Sequence, residues 1–193
     1  MAEDRVLPKA RVAVLLSGRG SNFAALLFAS RDPDCPYEIV MAISDIADAG
    51  GLHVARAEDV PVFTPTSTDK VAFEVETNRL LVHAKIDVVV LAGFMRILSA
   101  KFVEQWEGRI LNIHPSLLPK YKGLRTHARA MIDGESHTGC SVHLVTAKLD
   151  DGPVLGQTPV AIMPGEDVET LANRVLIAEH ELYPRVLRAF CRR

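Results

Sequence analysis

Apolar residues fall into two kinds of stretch along this chain. The first kind is short and nearly unbroken: "RVAVLL" at 11–16, "YEIVMAIS" at 37–44, "PVFT" at 61–64 and "IDVVVLAGF" at 86–94. "RILNIH" at 109–114, "CSVHLVT" at 140–146 and "VLGQTPVAI" at 154–162 continue the series. Runs of this length, rich in β-branched residues, predict strands, and the earlier ones lack polar alternation because both faces are buried. The second kind is longer and periodic. Helices are predicted over 21–30, weakly over 47–60, over 68–85 with Val71, Val75, Leu80 and Leu81 as the apolar stripe, over 99–106 and over 126–134. In the tail, Val168, Leu171, Ala172, Val175, Leu176, Leu182, Val186 and Phe190 form a further stripe, kinked or broken at Pro184. Ser21 or Asn22 is the predicted N-cap of the first helix.

Strand and helix alternate at least four times, which predicts an α/β fold: a doubly wound, mostly parallel sheet with helices on both faces. No internal repeat or interdomain linker interrupts the pattern, so residues 1–193 read as one domain with halves at about 11–98 and 99–193. A net charge of −2 argues against a general nucleic-acid or membrane-surface binder, although Lys120, Lys122 and Arg125 form a local basic cluster. Three cysteines, none in a C-x-x-C pair, suggest no disulfide framework and a reducing, cytoplasmic compartment. The N-terminus has too short an apolar run for a signal peptide or membrane span.

Three stretches offer chemistry. "SGRGSN" at 17–22 joins the first strand to the first helix, where backbone N–H groups favour an anion. It is either a phosphate turn using Gly20, Ser21 and Asn22 or an ordinary tight turn, and Phe23 breaks the spacing of a dinucleotide fingerprint. "LNIHPSLLP" at 111–119 places Asn112 and His114 on one face of a strand, as an oxyanion donor and proton shuttle or as a hydrogen-bonded strand end. "LDDGP" at 149–153 supplies a carboxylate in a turn. No H-E-x-x-H pairing or similar metal signature is present. No G-x-S-x-G elbow is present either; His127, His137 and His143 read as surface or loop groups and Cys140 as packing.

In order and spacing, "SGRGSN", "LAGFMRIL", "LNIHPSLLP" followed by Lys120, "TGCSVHLV", "LDDGPVLGQ" and "AEHELYP" resemble the glycinamide ribonucleotide formyltransferase family of purine synthesis. The resemblance runs from Arg11 to about Phe190. It implies a Rossmann-like N-terminal half and transfer of the formyl group of 10-formyltetrahydrofolate to the amine of glycinamide ribonucleotide, without a metal. Asn112, His114 and Asp150 fall on the family's catalytic positions, and Gly20, Ser21, Asn22 and Glu179 on its ribonucleotide site. Met95, Arg96, Ile97 and Leu98, with Thr146, Ala147, Lys148, Leu149, Asp150 and Asn112, fall on folate-binding segments, and Lys70 on a basic folate contact. The N-terminal half would thus carry the ribonucleotide phosphate site, and the C-terminal half catalysis and folate binding. Arg125 and Leu176 depart from polar residues that some members carry.

Formyltetrahydrofolate deformylase and methionyl-tRNA formyltransferase share the Asn-x-His and later aspartate, but each adds a domain for which this chain leaves no room. A nicotinamide oxidoreductase would fit the fold and fails on Phe23; a non-catalytic nucleotide-binding module has no use for His114 with Asp150. The expected partners are the two small substrates, with no nucleic acid and no membrane, in a monomer or weak homodimer.

Overall fold

The computed structural model describes residues 8–65, 67 and 69–193. Its seven strands form one sheet: β1 (Ala10–Leu16), β2 (Tyr37–Ser44), β3 (Val62–Phe63), β4 (Val88–Leu91), β5 (Ile110–His114), β6 (His137–Leu144) and β7 (Val154–Ala161), in the order β3-β2-β1-β4-β5-β6-β7. The first five are parallel. β6 and β7 run antiparallel, so the sheet is mostly parallel with a returning hairpin at one edge. The helices are α1 (Ser21–Ser30), α2 (Gly50–Ala57), α3 (Lys70–His83), α4 (Ala100–Gln105), α5 (Thr126–Ile132) and α6 (Val168–Cys191).

Alternation along the strands sorts the core into two layers. Val12, Val14 and Leu16 of β1, with Leu111 and Ile113 of β5, face Phe23 and Leu26 of α1 and Leu171, Val175 and Leu182 of α6. Ala13 and Leu15, with Val89 and Ile110, face Phe73 and Leu81 of α3 and Phe102 and Trp106 near α4. Both faces are therefore buried, which is why the parallel strands read as continuous apolar runs.

Three expectations change. Neither Ser21 nor Asn22 caps α1: the N-cap is Gly20, at φ 81 and ψ 21, and no side chain bonds the helix end. That backbone is left-handed, and a Cβ on Gly20 would lie 2.2 Å from the Cα of Gly51, so glycine is required for the approach of α2 as well as for the turn. α3 forms, although Thr68, where the pattern begins it, lies outside the described residues. Its buried side is Phe73, Glu74, Thr77 and Leu81, whereas Val71 and Val75 are exposed. Glu74 is buried because its carboxylate accepts from the Ser99 N–H at 2.7 Å and from the Ser99 hydroxyl, holding the start of α4. Finally, α6 runs unbroken through Pro184.

Beside that proline, fully buried Tyr183 sends its hydroxyl to the carbonyls of Leu91 and Leu111, each at 3.0 Å. One proton is shared between two acceptors, Leu91 at the carboxyl end of β4 and Leu111 within β5, and the second directly precedes Asn112. Tyr183→Phe should therefore cost about 1–2 kcal/mol of stability, read as a lower urea midpoint with an unchanged slope.

Candidate active site

The turns after β1, β2, β4 and β5 collect at the carboxyl edge of the parallel strands, the usual place for a ligand in an α/β sheet. Asn112 and His114 belong to the α3/α4 face by alternation with Ile110. Across the antiparallel ladder Asn112 pairs with His143 and His114 with Ser141. Residues directly opposite share a face, so one side of this strand pair carries an amide, two imidazoles and a hydroxyl.

His143 is a correction: it is a buried member of this cluster, not a surface or loop group. Its Nδ1 lies 2.9 Å from the Leu144 carbonyl, which can only accept, so Nδ1 carries the proton. In the neutral ring Nε2 is then an acceptor, and Asn112 Nδ2 donates to it at 3.1 Å. This fixes which way the Asn112 amide points, and its second N–H has no partner among the described residues. The signal in the sequence was the Ser141/His143 alternation; what the sequence did not carry was the direction of β6.

His114 is also buried. Its Nε2 donates to the Tyr121 carbonyl at 2.9 Å, and its Nδ1 is 3.4 Å from Asp150 Oδ2. With Nε2 engaged, Nδ1 is the nitrogen turned toward the carboxylate and the open edge. Ser141 supports the segment beyond His114: its hydroxyl donates to the Ser116 carbonyl at 2.6 Å and accepts from the Leu118 N–H at 3.0 Å.

Asp150 is brought in by the turn after β6. Its Oδ2 accepts from the Gly123 N–H at 2.9 Å, and its Oδ1 lies 3.6 Å from His143 Nε2. Burial opposes its charge, but the neighbouring imidazole of His143, the Gly123 N–H bond and the field of His114 outweigh burial and hold its carboxyl below the usual value. Its backbone is left-handed, at φ 48, an uncommon conformation for a residue with a side chain. Asp151 is different: its side chain is exposed and pairs with Lys122. His127, at the start of α5, has a buried Nδ1 without a partner among the described residues; burial, then the charge of His114, lowers its pKa.

A second cluster lies at α1. Asn22 Nδ2 donates to Glu179 Oε2 at 2.7 Å, joining residues far apart in the chain, while Asn22 Oδ1 has no partner among the described residues. Burial pushes the Glu179 carboxyl up to about 7, against the lowering effect of Asn22.

Between the clusters runs the segment after β4. Met95 and Ile97 are exposed, 66% and 65%, with Leu98 half-buried. Arg96 turns inward, its Nε 3.0 Å from Asp45 and its guanidinium 4.8 Å over the Phe73 ring. Thr146, Ala147, Lys148 and Leu149 form an exposed loop leading into Asp150. Lys70 opens α3 as an exposed residue following β3, the strand at the far edge of the sheet; nothing joins it to His114 among the described residues. Ser21 is half-buried at the first turn of α1, and Arg125 is an exposed left-handed residue preceding α5. Among the described residues no group of three or more His, Cys, Asp or Glu is placed to hold a metal ion, and no helix is long and apolar enough to cross a membrane.

An amide, an imidazole and a carboxylate grouped about the end of β5 are suited to transfer of an acyl-type group through a tetrahedral centre. Comparison with known proteins agrees. A family model described as Formyl transferase matches residues 10–187, and the chain belongs to that family. Phosphoribosylglycinamide formyltransferase of Escherichia coli (strain K12) is 43% identical over 185 residues, covering 93% of this chain and 86% of that protein. The trifunctional purine biosynthetic protein adenosine-3 of Homo sapiens is 43% identical over 182 residues, but this chain spans only 18% of its length. Other relatives of that name are matched over 14–18% of theirs. Among solved structures, phosphoribosylglycinamide formyltransferase from Brucella melitensis has a TM-score of 0.90 at 48% identity, over 95% of this chain and 96% of that one. A formyltetrahydrofolate deformylase from Pseudomonas syringae pv. tomato has a TM-score of 0.89 at 28% identity and is covered over 62% of its length.

Two outcomes are expected. Asp150→Asn should lose most activity while Asp151→Asn stays active, because only the first carboxylate faces both imidazoles; comparing their turnovers at equal fold content checks this. Glu179 has a folded pKa above its ordinary 4.5, so the folded state holds a proton that the unfolded chain releases, and stability falls as pH rises from about 4.5 to about 7. Glu179→Gln removes that slope. The variant should match the wild type near about pH 4 and exceed it above about pH 7 by on the order of 3 kcal/mol, measured by denaturant titration across pH.

Proposed function

We propose that this protein transfers the formyl group of 10-formyltetrahydrofolate to the amine of glycinamide ribonucleotide, giving N-formylglycinamide ribonucleotide and tetrahydrofolate. The observation that carries this reading is the convergence of Asn112, His114 and Asp150 at the carboxyl end of β5 in a member of the formyl transferase family. Relatives named for this reaction, matched over most of both chains, support the choice of acceptor.

The amine attacks the formyl carbon and negative charge collects on the formyl oxygen. The N–H of Asn112 and the Nδ1–H of His114 in its protonated form stabilise it, and Asp150 keeps the imidazole turned. The C–N10 bond then breaks. The attacking nitrogen loses a proton and N10 gains one, relayed by the Asp150–His114 pair and water. The ribonucleotide phosphate lies against the backbone of Gly20, Ser21 and Asn22, where the N-terminus of α1 favours an anion, and Glu179 holds the ribose side. The folate lies along residues 95–98 and 146–150. Arg96 contributes there through its grip on Asp45, and Lys70 reaches the distal acidic end of the folate. Both halves of the single domain thus bind each ligand, and the chemistry uses no metal. Three free cysteines, two of them buried, suit a reducing, cytoplasmic setting.

Incubating the protein with 10-formyltetrahydrofolate, with and without glycinamide ribonucleotide, tests this. Folate product should form only with the ribonucleotide; equal formation with water alone would make the protein a deformylase. His114→Ala should lose roughly 10²–10⁴ in turnover and Asn112→Ala on the order of 10²–10³. Near-normal turnover in a folded variant would remove that residue from the mechanism.

A further inference from the structure

Asp45 follows β2 immediately and has no part in the chemistry above. Its side chain is only 7% exposed, and both carboxylate oxygens are committed to neighbouring turns. Oδ1 accepts from the Ser17 hydroxyl at 2.6 Å, and Oδ2 accepts from Arg96 Nε at 3.0 Å. Ser17 in turn accepts from the Met95 N–H at 2.9 Å and donates its own N–H to the Gly93 carbonyl at 3.2 Å. The guanidinium of Arg96 lies over Phe73, whose ring stacks with Phe94.

β2, β1 and β4 are adjacent in the sheet, so this one buried carboxylate joins the turns leaving three neighbouring strands. On one side is Ser17, at the head of the glycine turn; that turn is held from beyond by the Gly51 N–H donating to the Gly18 carbonyl at 3.0 Å. On the other side is the 95–98 segment. Because Arg96 is drawn inward, its flanking side chains, Met95 and Ile97, face outward as the exposed apolar pair. An unpaired buried carboxylate is costly, and hydrogen bonds to charged groups are among the stronger ones. The clamp therefore sets the conformation of both turns before any ligand arrives.

We propose that Asp45 is a positioning residue that preorganises the ribonucleotide turn and the folate segment together, so that its loss weakens both substrates without touching the reacting atoms. This rests on the reading of the two segments given above. In Asp45→Ala, the KM for glycinamide ribonucleotide and for 10-formyltetrahydrofolate should each rise about tenfold or more, the scale of one lost charge-assisted hydrogen bond, with kcat within about threefold of the wild type. Hydrogen exchange at the Met95 amide of the ligand-free protein should quicken by about the same factor. Asp45→Asn should recover most of both effects, since an amide can accept from Arg96 with its oxygen and donate to Ser17 with its nitrogen. Should Asp45→Ala not fold, Ser17→Ala removes the same link from the other end and should raise Met95 exchange and both KM values.

A rise in only one KM, a fall in kcat at unchanged KM, or unaltered Met95 exchange in a folded variant would overturn the proposal. If the wild type does not formylate the ribonucleotide at all, the reaction assigned above fails instead, and Met95 exchange in the ligand-free variants still decides whether Asp45 holds the two turns.

Discussion

The reversal of strand direction between β5 and β6 is the constraint on which the site depends. The parallel strands deliver their turns to one edge, but a further parallel strand in the place of β6 would send its own carboxyl end the same way and place different residues beside Asn112. Because β6 returns antiparallel, His143 comes directly opposite Asn112 and Ser141 opposite His114. On the reverse face the same register buries Leu111, Ile113, Cys140 and Val142. Sliding β6 by one residue would exchange these sets, exposing the apolar side chains and burying the polar ones under the helices. The register that is stable is therefore also the one that assembles the amide, the imidazoles and the hydroxyl.

The carboxylate is held at more local expense. Asp150 adopts a left-handed backbone, a conformation costing roughly 1–2 kcal/mol for an L-residue, and it is buried to 9% exposure. The turn that carries it is pinned at Gly152, where a Cβ would come 1.8 Å from the Leu144 carbonyl. That carbonyl also accepts from His143 Nδ1, so the turn and the tautomer of His143 depend on the same group. The Gly123 N–H bond and the two neighbouring imidazoles offset the desolvation, and the net effect favours the ionised form. Asp151 lies one residue away, outside the cluster. Its carboxyl is lowered by its hydrogen bond and charge pairing with Lys122, a contact at the surface.

Much of the architecture was legible because a strand buried on both faces has few alternatives: 37–44 is a strand with the bounds its apolar run suggests, and the run 109–114 gives a strand at 110–114. Legibility failed where a distant partner changes the value of a residue. Val71 and Val75 make a helical stripe in the sequence, yet the buried side of α3 includes Glu74 and Thr77, because Ser99 satisfies the Glu74 carboxylate from 25 residues away. Likewise Gly20 replaces a capping side chain because α2 needs the space. Pro184 sits in a helix that continues, locked by the buried Tyr183 beside it. The place of His143 depends on strand direction, which its own segment does not encode, and Asp45 carries no local signal because its partners, Ser17 and Arg96, converge only when β2, β1 and β4 lie side by side.

The strand order β2-β1-β4-β5-β6 sets the layout of the edge. Reading across it, one meets Asp45, the glycine turn, the 95–98 segment, Asn112 with His114, and His143. Each is attached to a strand or the turn leaving it, the buried Asp45 ties adjacent strand ends to one another, and Tyr183 ties β4 to β5. For a reaction between two small molecules, the main obstacle is the freedom lost when both are held in one geometry. A sheet edge whose turns are fixed beforehand lowers the part of that cost that would otherwise go into ordering the protein. The exposed parts, Met95, Ile97 and the 146–149 loop, are left to adapt. The division is the one the proposed chemistry requires: rigid where charge develops, at Asn112 and His114, and adjustable where an apolar ring system is to be covered.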